Sequence, residues 1–216
     1  MRSQVGASIC NVLGRMSLEE RTAKYMVIDS DLGGSTGLNA VMKQYPECFV
    51  QSGVMERGNF AAAAGWGSQA GPGGPGGPGG EPGKIGIFST FAAFLEMCCS
   101  EITMARLNFS NVFCHFSHSG VDDMADNTCH YGLNIFFADN GLEDQHPTNL
   151  YFPCTAVQAD AITEAVLPTV GLNFLFTTRS KLPMINDARP APFRVSLCAA
   201  RALNATGQSR VTLSLR

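Results

Sequence analysis

The sequence predicts one three-layer α/β domain built on a mostly parallel sheet. Three observations carry that expectation. Short apolar runs alternate with stretches of helical character, the pattern of strands joined by helical crossovers. The run 84–90 is dense in apolar residues, as suits a strand covered on both faces. A hydrophobic share of 45% against 15% charged residues, over 216 residues, supplies a core of single-domain size and argues against disorder.

Composition narrows the function classes. A formal net charge of −3 offers no basic footprint for nucleic acid. Nowhere do about 18 consecutive apolar residues occur, so no membrane span is expected. The eight cysteines lack C-x-x-C spacing, which suggests neither a zinc site nor a disulfide framework. Buried, reduced thiols in a cytoplasmic protein are the expectation.

Taken in order, residues 1–24 read as a helical lead-in, and Ser17-x-x-Glu20 is a capping box that begins a helix of its own. Tyr25-Met26-Val27-Ile28 reads as the first strand, followed by a turn through Asp29, Asp31, Gly33, Gly34 and Ser35. A second apolar run, Cys48 to Gln51, leads to Gly53, and Glu56 stands where strand gives way to helix. In open α/β sheets the carboxyl ends of the strands face the ligand crevice, which puts Asp31 and Glu56 on its rim. Residue chemistry alone equally allows Asp31 to cap a turn and Glu56 to open a helix at its positive end.

Residues 69–83 interrupt this alternation with a Gly/Pro-rich stretch of three-residue period. The repeats are too few for a triple helix, and the composition reads as a flexible insertion within one domain. After the strand at 84–90, Phe91, Phe94, Leu95, Cys98 and Ile102 follow helical spacing. Asn111–Phe116 is the next strand. The loop Ser117–His130 then carries His118, His130, Asp122, Asp123 and Asp126, for which a metal site, a solvated acidic loop and a substrate loop all compete. Leu150–Pro153 reads as a short strand, Thr155–Val170 as an amphipathic helix, and Asn173–Thr177 as a strand leading to Arg179. The tail 183–216 has no confident periodicity and no assigned structure.

Five ordered blocks carry a family resemblance over roughly residues 20–182. They are Asp31-Leu32-Gly33-Gly34-Ser35, Gly53-Val54-Met55-Glu56, Ser89 to Phe94, His118 through Asp126 to His130, and Thr177-Thr178-Arg179. Together they resemble the pyrimidine-binding domain of transketolases, spanning residues 25–182 here. The resemblance implies a thiamin-diphosphate-binding fold and ketol transfer between sugar phosphates. Glu56 and His130 would be catalytic, with Glu56 bonding a ring nitrogen of the aminopyrimidine. Asp31, Glu56, Phe91 and Phe94 would hold the pyrimidine half of the cofactor. Ser35, His118, Asp126, His130 and Arg179 would address the sugar, a planar guanidinium being suited to a phosphate. Arg2 is a candidate for an upstream phosphate-binding arginine, and Met97 replaces a further aromatic of the family.

The family's diphosphate and metal motif, Gly-Asp-Gly…Asn, does not occur in the chain. The resemblance therefore implies half a site: no metal ligands here, with Mg²⁺ and the diphosphate on a partner domain. Self-association or a diphosphate-binding partner chain is expected, and Phe88, Phe91, Met97, Phe136 and Phe137 are candidate apolar surface for it. Two alternatives stand beside this reading. One is a catalytically silent interaction module or truncated gene product retaining the fold. The other is a nucleotide-binding protein, for which Gly33-Gly34 is a poor fingerprint.

Overall fold

The computed structural model describes residues 2–68, 83–121, 132, 146–180, 200–203 and 209–212, the last two stretches as backbone. Asp126, His130, Phe136, Phe137 and nearly all of the Gly/Pro-rich insertion lie outside these residues.

The chain opens with two helices, α1 (Arg2–Gly14) and α2 (Leu18–Lys24). The capping box is present: Ser17 Oγ accepts from the Glu20 N–H at 3.2 Å, and the Ser17 N–H donates to the Glu20 carboxylate at 2.8 Å. It satisfies two of the amides that any helix start leaves without partners. Strand β1 (Tyr25–Asp29) follows, then short helices α3 (Gly33–Thr36) and α4 (Asn39–Gln44), the two-residue strand β2 (Phe49–Val50), and helix α5 (Glu56–Gly67). Beyond the insertion come β3 (Ile85–Phe91), a 3₁₀ segment at Ala92–Cys98, α6 (Cys99–Leu107) and β4 (Val112–Ser117). The domain continues through β5 (Thr148–Tyr151), α7 (Ala156–Val166) and β6 (Leu172–Phe176).

Six strands form a fully parallel sheet in the order β2-β1-β3-β4-β6-β5. From β1 the chain runs outward to β2 on one side, then returns to place β3 on the other. The carboxyl ends of β1 and β3 are therefore a topological switch point, where α/β sheets open their ligand crevice.

Alternation along the strands feeds two cores. Val27, Ile85, Ile87, Phe113 and Leu175 pack with Val5, Ile9 and Leu13 of α1 and Ile162 and Val166 of α7. On the other face Ile28, Phe88, Phe116 and Phe174 pack with Phe60 and Ala63 of α5 and Ile102 of α6. Phe60, Phe88 and Phe116 meet edge to face at 5.7 and 6.4 Å. Burying each such ring contributes about 2 kcal/mol. Gly86 sets the layer spacing: a Cβ there would lie 2.1 Å from the Ala63 carbonyl oxygen, so α5 rests directly on the β3 backbone.

Several expectations are corrected. Phe91 closes β3, paired with Ser117, and the next turn is 3₁₀ before α6 begins. Because 3₁₀ side chains eclipse every three residues, Ala92, Leu95 and Cys98 form the buried edge, and Phe94 is left half-buried. Phe88 and Phe91 do not form uncovered surface; they lie inside the chain's own packing, and of the described candidates only Met97 is exposed. Helix α7 ends at Val166, four residues short of the predicted Val170; Leu167 keeps helical angles (φ −50°, ψ −40°), and Pro168, which has no N–H, cannot carry the helical hydrogen bonds on. In the tail, β7 (Ala200–Leu203) and β8 (Ser209–Thr212) pair antiparallel.

Among the described residues, Cys10, Cys48, Cys98 and Cys114 are free and buried, and Cys154 is free and exposed. No helix among them is long and apolar enough to cross a membrane.

Candidate functional site

The carboxyl rim of the sheet collects polar side chains that the strands bury. At the end of β1, Asp29 is 4% exposed; its Oδ1 accepts from the Asp31 N–H at 3.0 Å, while Oδ2 has no hydrogen-bond partner. This turn holds Asp31 in the left-handed region, φ 62°. The capping carboxylate is thus Asp29, not Asp31, whose own side chain is exposed. Burial pushes the Asp29 carboxyl up, opposed by the Asp31 amide and assisted by the Asp31 charge. Gly33 follows because a Cβ there would meet Asp29 Oδ2 at 2.8 Å and Asn39 Oδ1 at 2.4 Å. Ser35 is half-buried on α3.

The ends of β3, β4 and β6 are joined by His115, which is fully buried. Its Nδ1 lies 3.3 Å from Ser89 Oγ and its Nε2 2.8 Å from Thr177 Oγ1, while Ser89 Oγ donates to the His115 carbonyl at 2.8 Å. Burial, with Arg2 adding positive charge nearby, pulls the His115 pKa down to about 3. The ring is neutral and serves as a three-strand bridge.

One layer further out stands His118, 2% exposed and left-handed at φ 60°. Arg2 Nη1 donates to its Nε2 at 3.3 Å, so the ring proton sits on Nδ1 and points at Ser117 Oγ, 2.9 Å away. The Phe91 ring packs on His118 at 3.9 Å between centroids, and Phe94 stacks on Phe91 at 5.8 Å. Arg2 reaches this rim because α1 crosses the α3–α4 junction at a glycine pair: a Cβ on Gly6 would lie 2.1 Å from the Gly37 carbonyl oxygen.

Glu56 opens α5 and is 4% exposed. It neighbours the 3₁₀ segment that carries Phe94: burial, then the charges of Glu101 and Glu56, push the Cys98 thiol up to about 12. Arg179 is exposed, two residues past Thr177 on the same rim.

The described residues thus bring Phe91, Phe94 and His118 into one stack, with Asp31 and Ser35 on the loop after β1 and Glu56 after β2. Asp126 and His130 fall outside them. Sequence reading named Asp29 and Ser89 without giving either a role, and did not single out His115. The available signal was polar side chains near the carboxyl ends of otherwise apolar strands, where burial demands a hydrogen-bond partner. A groove of about 420 Å³ between α5 and α6, lined by Ala61, Ala64, Ala105 and the Arg57–Glu101 ion pair, lies on the outer helical layer and not at this rim. Among the described residues no three His, Cys, Asp or Glu side chains converge to hold a metal ion.

Solved structures share this architecture. A split-gene transketolase, described as an inactive beta4 tetramer, superposes at a TM-score of 0.63 with 24% identity, over 89% of this chain and 56% of that one. The fold is a transketolase-like domain. The transketolase from Leishmania mexicana superposes at a TM-score of 0.56 with 14% identity, over 72% of this chain and 22% of that one. This chain therefore spans a little over half the length of the first and about a fifth of the second. No protein-family model and no curated protein matches the sequence.

Proposed function

We propose that the chain is the pyrimidine-binding domain of a transketolase-type transferase, completed by a separate diphosphate-binding chain. The observation that carries this is Glu56: an acidic residue only 4% exposed, at a helix start on the rim of a transketolase-like sheet. An aminopyrimidine fits these residues. Its ring nitrogen can share a proton with Glu56, and its ring face matches the half-buried Phe94. In this reading the diphosphate half and its metal ion fall to the partner chain.

When bound, thiamin diphosphate supplies a nucleophilic carbon for moving a ketol unit between sugar phosphates. The chain's own residues position and protonate. Glu56 holds a proton at the pyrimidine nitrogen, which a carboxylate in a dry setting does well. The Arg2 guanidinium, held by the donation of its Nη1 to His118 Nε2, presents a cation toward the sugar. Ser35, Asp126, His130 and Arg179 complete the substrate contacts in this reading. The split-gene neighbour is a tetramer, which supports association with other chains. That same neighbour's description as inactive favours the second reading, an interaction module without catalysis.

Calorimetry with thiamin diphosphate and Mg²⁺ tests the half-site directly. The isolated chain should bind weakly or not at all, and adding a diphosphate-binding chain should restore affinity. Glu56→Gln should then lower ketol transfer by roughly 10²–10⁴-fold while assembly persists. Micromolar binding by a monomer would overturn the half-site.

A further inference from the structure

We propose that Asn59 is the positioning residue for Glu56, tying the loop that delivers the carboxylate to the end of β1. The inference rests on the role given to Glu56 above.

Glu56 has little else to aim it. Strand β2 pairs with β1 through only two residues and ends at Val50. The loop that follows is open: Gly53, Val54 and Met55 are exposed, and a Cβ on Gly53 would meet nothing within 4 Å. The cap of α5, Met55, makes no side-chain hydrogen bond to the helix start.

Asn59, one turn into α5 and 1% exposed, supplies what the loop lacks. Its Oδ1 accepts from Ser52 Oγ at 2.7 Å, its Nδ2 donates to the Gly53 carbonyl at 3.0 Å, and its backbone N–H donates to the Met55 carbonyl at 2.8 Å. Between Ser52 and Met55, every hydrogen bond found among the described residues ends on Asn59. The same Nδ2 reaches the Asp29 carbonyl at 3.2 Å and Ser30 Oγ at 3.1 Å. Two N–H groups serve three acceptors, so one is shared and the buried amide is fully used. One side chain therefore clamps the β2–α5 loop to the rim of β1. Glu56 lies three residues before it on the same helix, so the clamp fixes the turn from which the carboxylate projects. An ångström of drift at such a group costs up to about 10²-fold in rate.

The test uses the full chain with Asn59→Leu, which keeps volume and removes every side-chain bond. Amide order parameters measured by NMR at Gly53–Glu56 should fall from the rigid range, about 0.85, toward the flexible range below about 0.6. Those of β3 and β4 should stay in place. Should Asn59→Leu fail to fold, Ser52→Ala and Ser30→Ala each remove one bond and should give a smaller fall. Unchanged order parameters in the loop overturn the proposal. In the assembled enzyme, Asn59→Leu should lower kcat about tenfold or more with the sugar KM nearly unchanged, since the loss falls on Glu56 and not on substrate contacts. A raised KM with unchanged kcat overturns it too. Wild-type inactivity in every pairing sinks the ketol-transfer reading by itself, whereas a rigid loop in Asn59→Leu sinks the clamp whatever the pairing does.

Discussion

His115 shows how a titratable group can be structural. It sits on β4 between Ser89 and Thr177, and burial holds its folded pKa near 3, against about 6.5 for an unperturbed histidine. The folded value lies below the unfolded one, so the neutral ring contributes stability that is complete above about pH 6.5. That contribution is lost as the pH falls toward about 3. The slope for one proton is at most about 1.4 kcal/mol per pH unit. Urea midpoints measured from pH 7 to pH 4 should decline, and His115→Gln should decline less steeply because its amide takes up no proton. Parallel slopes for the two proteins would refute the bridge.

At the scale of elements, the rim is assembled by close approaches that only glycine permits. Helix α1 brings Arg2 to His118 because Gly6 and Gly37 let the helix touch the α3–α4 junction. Gly6→Ala drives a Cβ into the Gly37 carbonyl oxygen, 2.1 Å away, where backbone must yield. The expected cost is about 1–3 kcal/mol by thermal or urea unfolding, as for overpacked sites. Gly53→Ala is the control: nothing lies within 4 Å of its Cβ, and a change within about 0.5 kcal/mol is expected. Equal costs for the two variants would show that the crossing does not depend on this contact.

For the whole molecule, two expectations follow from what the domain leaves outside. Lys84 Nζ lies 4.0 Å over the Trp66 ring, so the flanks of the Gly/Pro-rich insertion are already near each other. Replacing 69–83 by a short Gly-Ser linker should change stability by less than about 2 kcal/mol, since loop closure depends weakly on length. The second concerns association. Val50, Val54 and Met55 stand exposed around the loop leading to Glu56, with Met97 exposed on the neighbouring 3₁₀ segment. Sedimentation should show concentration-dependent association, and Val54→Asp should weaken it without unfolding the chain. A protein that stays monomeric at every concentration, alone and with a diphosphate-binding chain, would contradict this surface.

By itself the sequence determined the order of strands and helices, because apolar runs and helical periodicity are local properties. The capping box at Ser17 and Glu20 was legible for the same reason: it is made by residues three apart. Ordered blocks also picked out Phe91, Phe94 and His118 as candidates, and the tertiary structure brings the three rings together. Tertiary structure decided the rest. The union of Ser89, His115 and Thr177 spans three strands, and Arg2 meets His118 across 116 positions, so no window of sequence contains either. Burial divided the aromatic candidates too. Phe88 is a core residue because it packs from β3 between Phe60 and Phe116, and Phe94 is half-buried because a 3₁₀ turn, not an α-helix, follows β3 and buries Ala92, Leu95 and Cys98 instead.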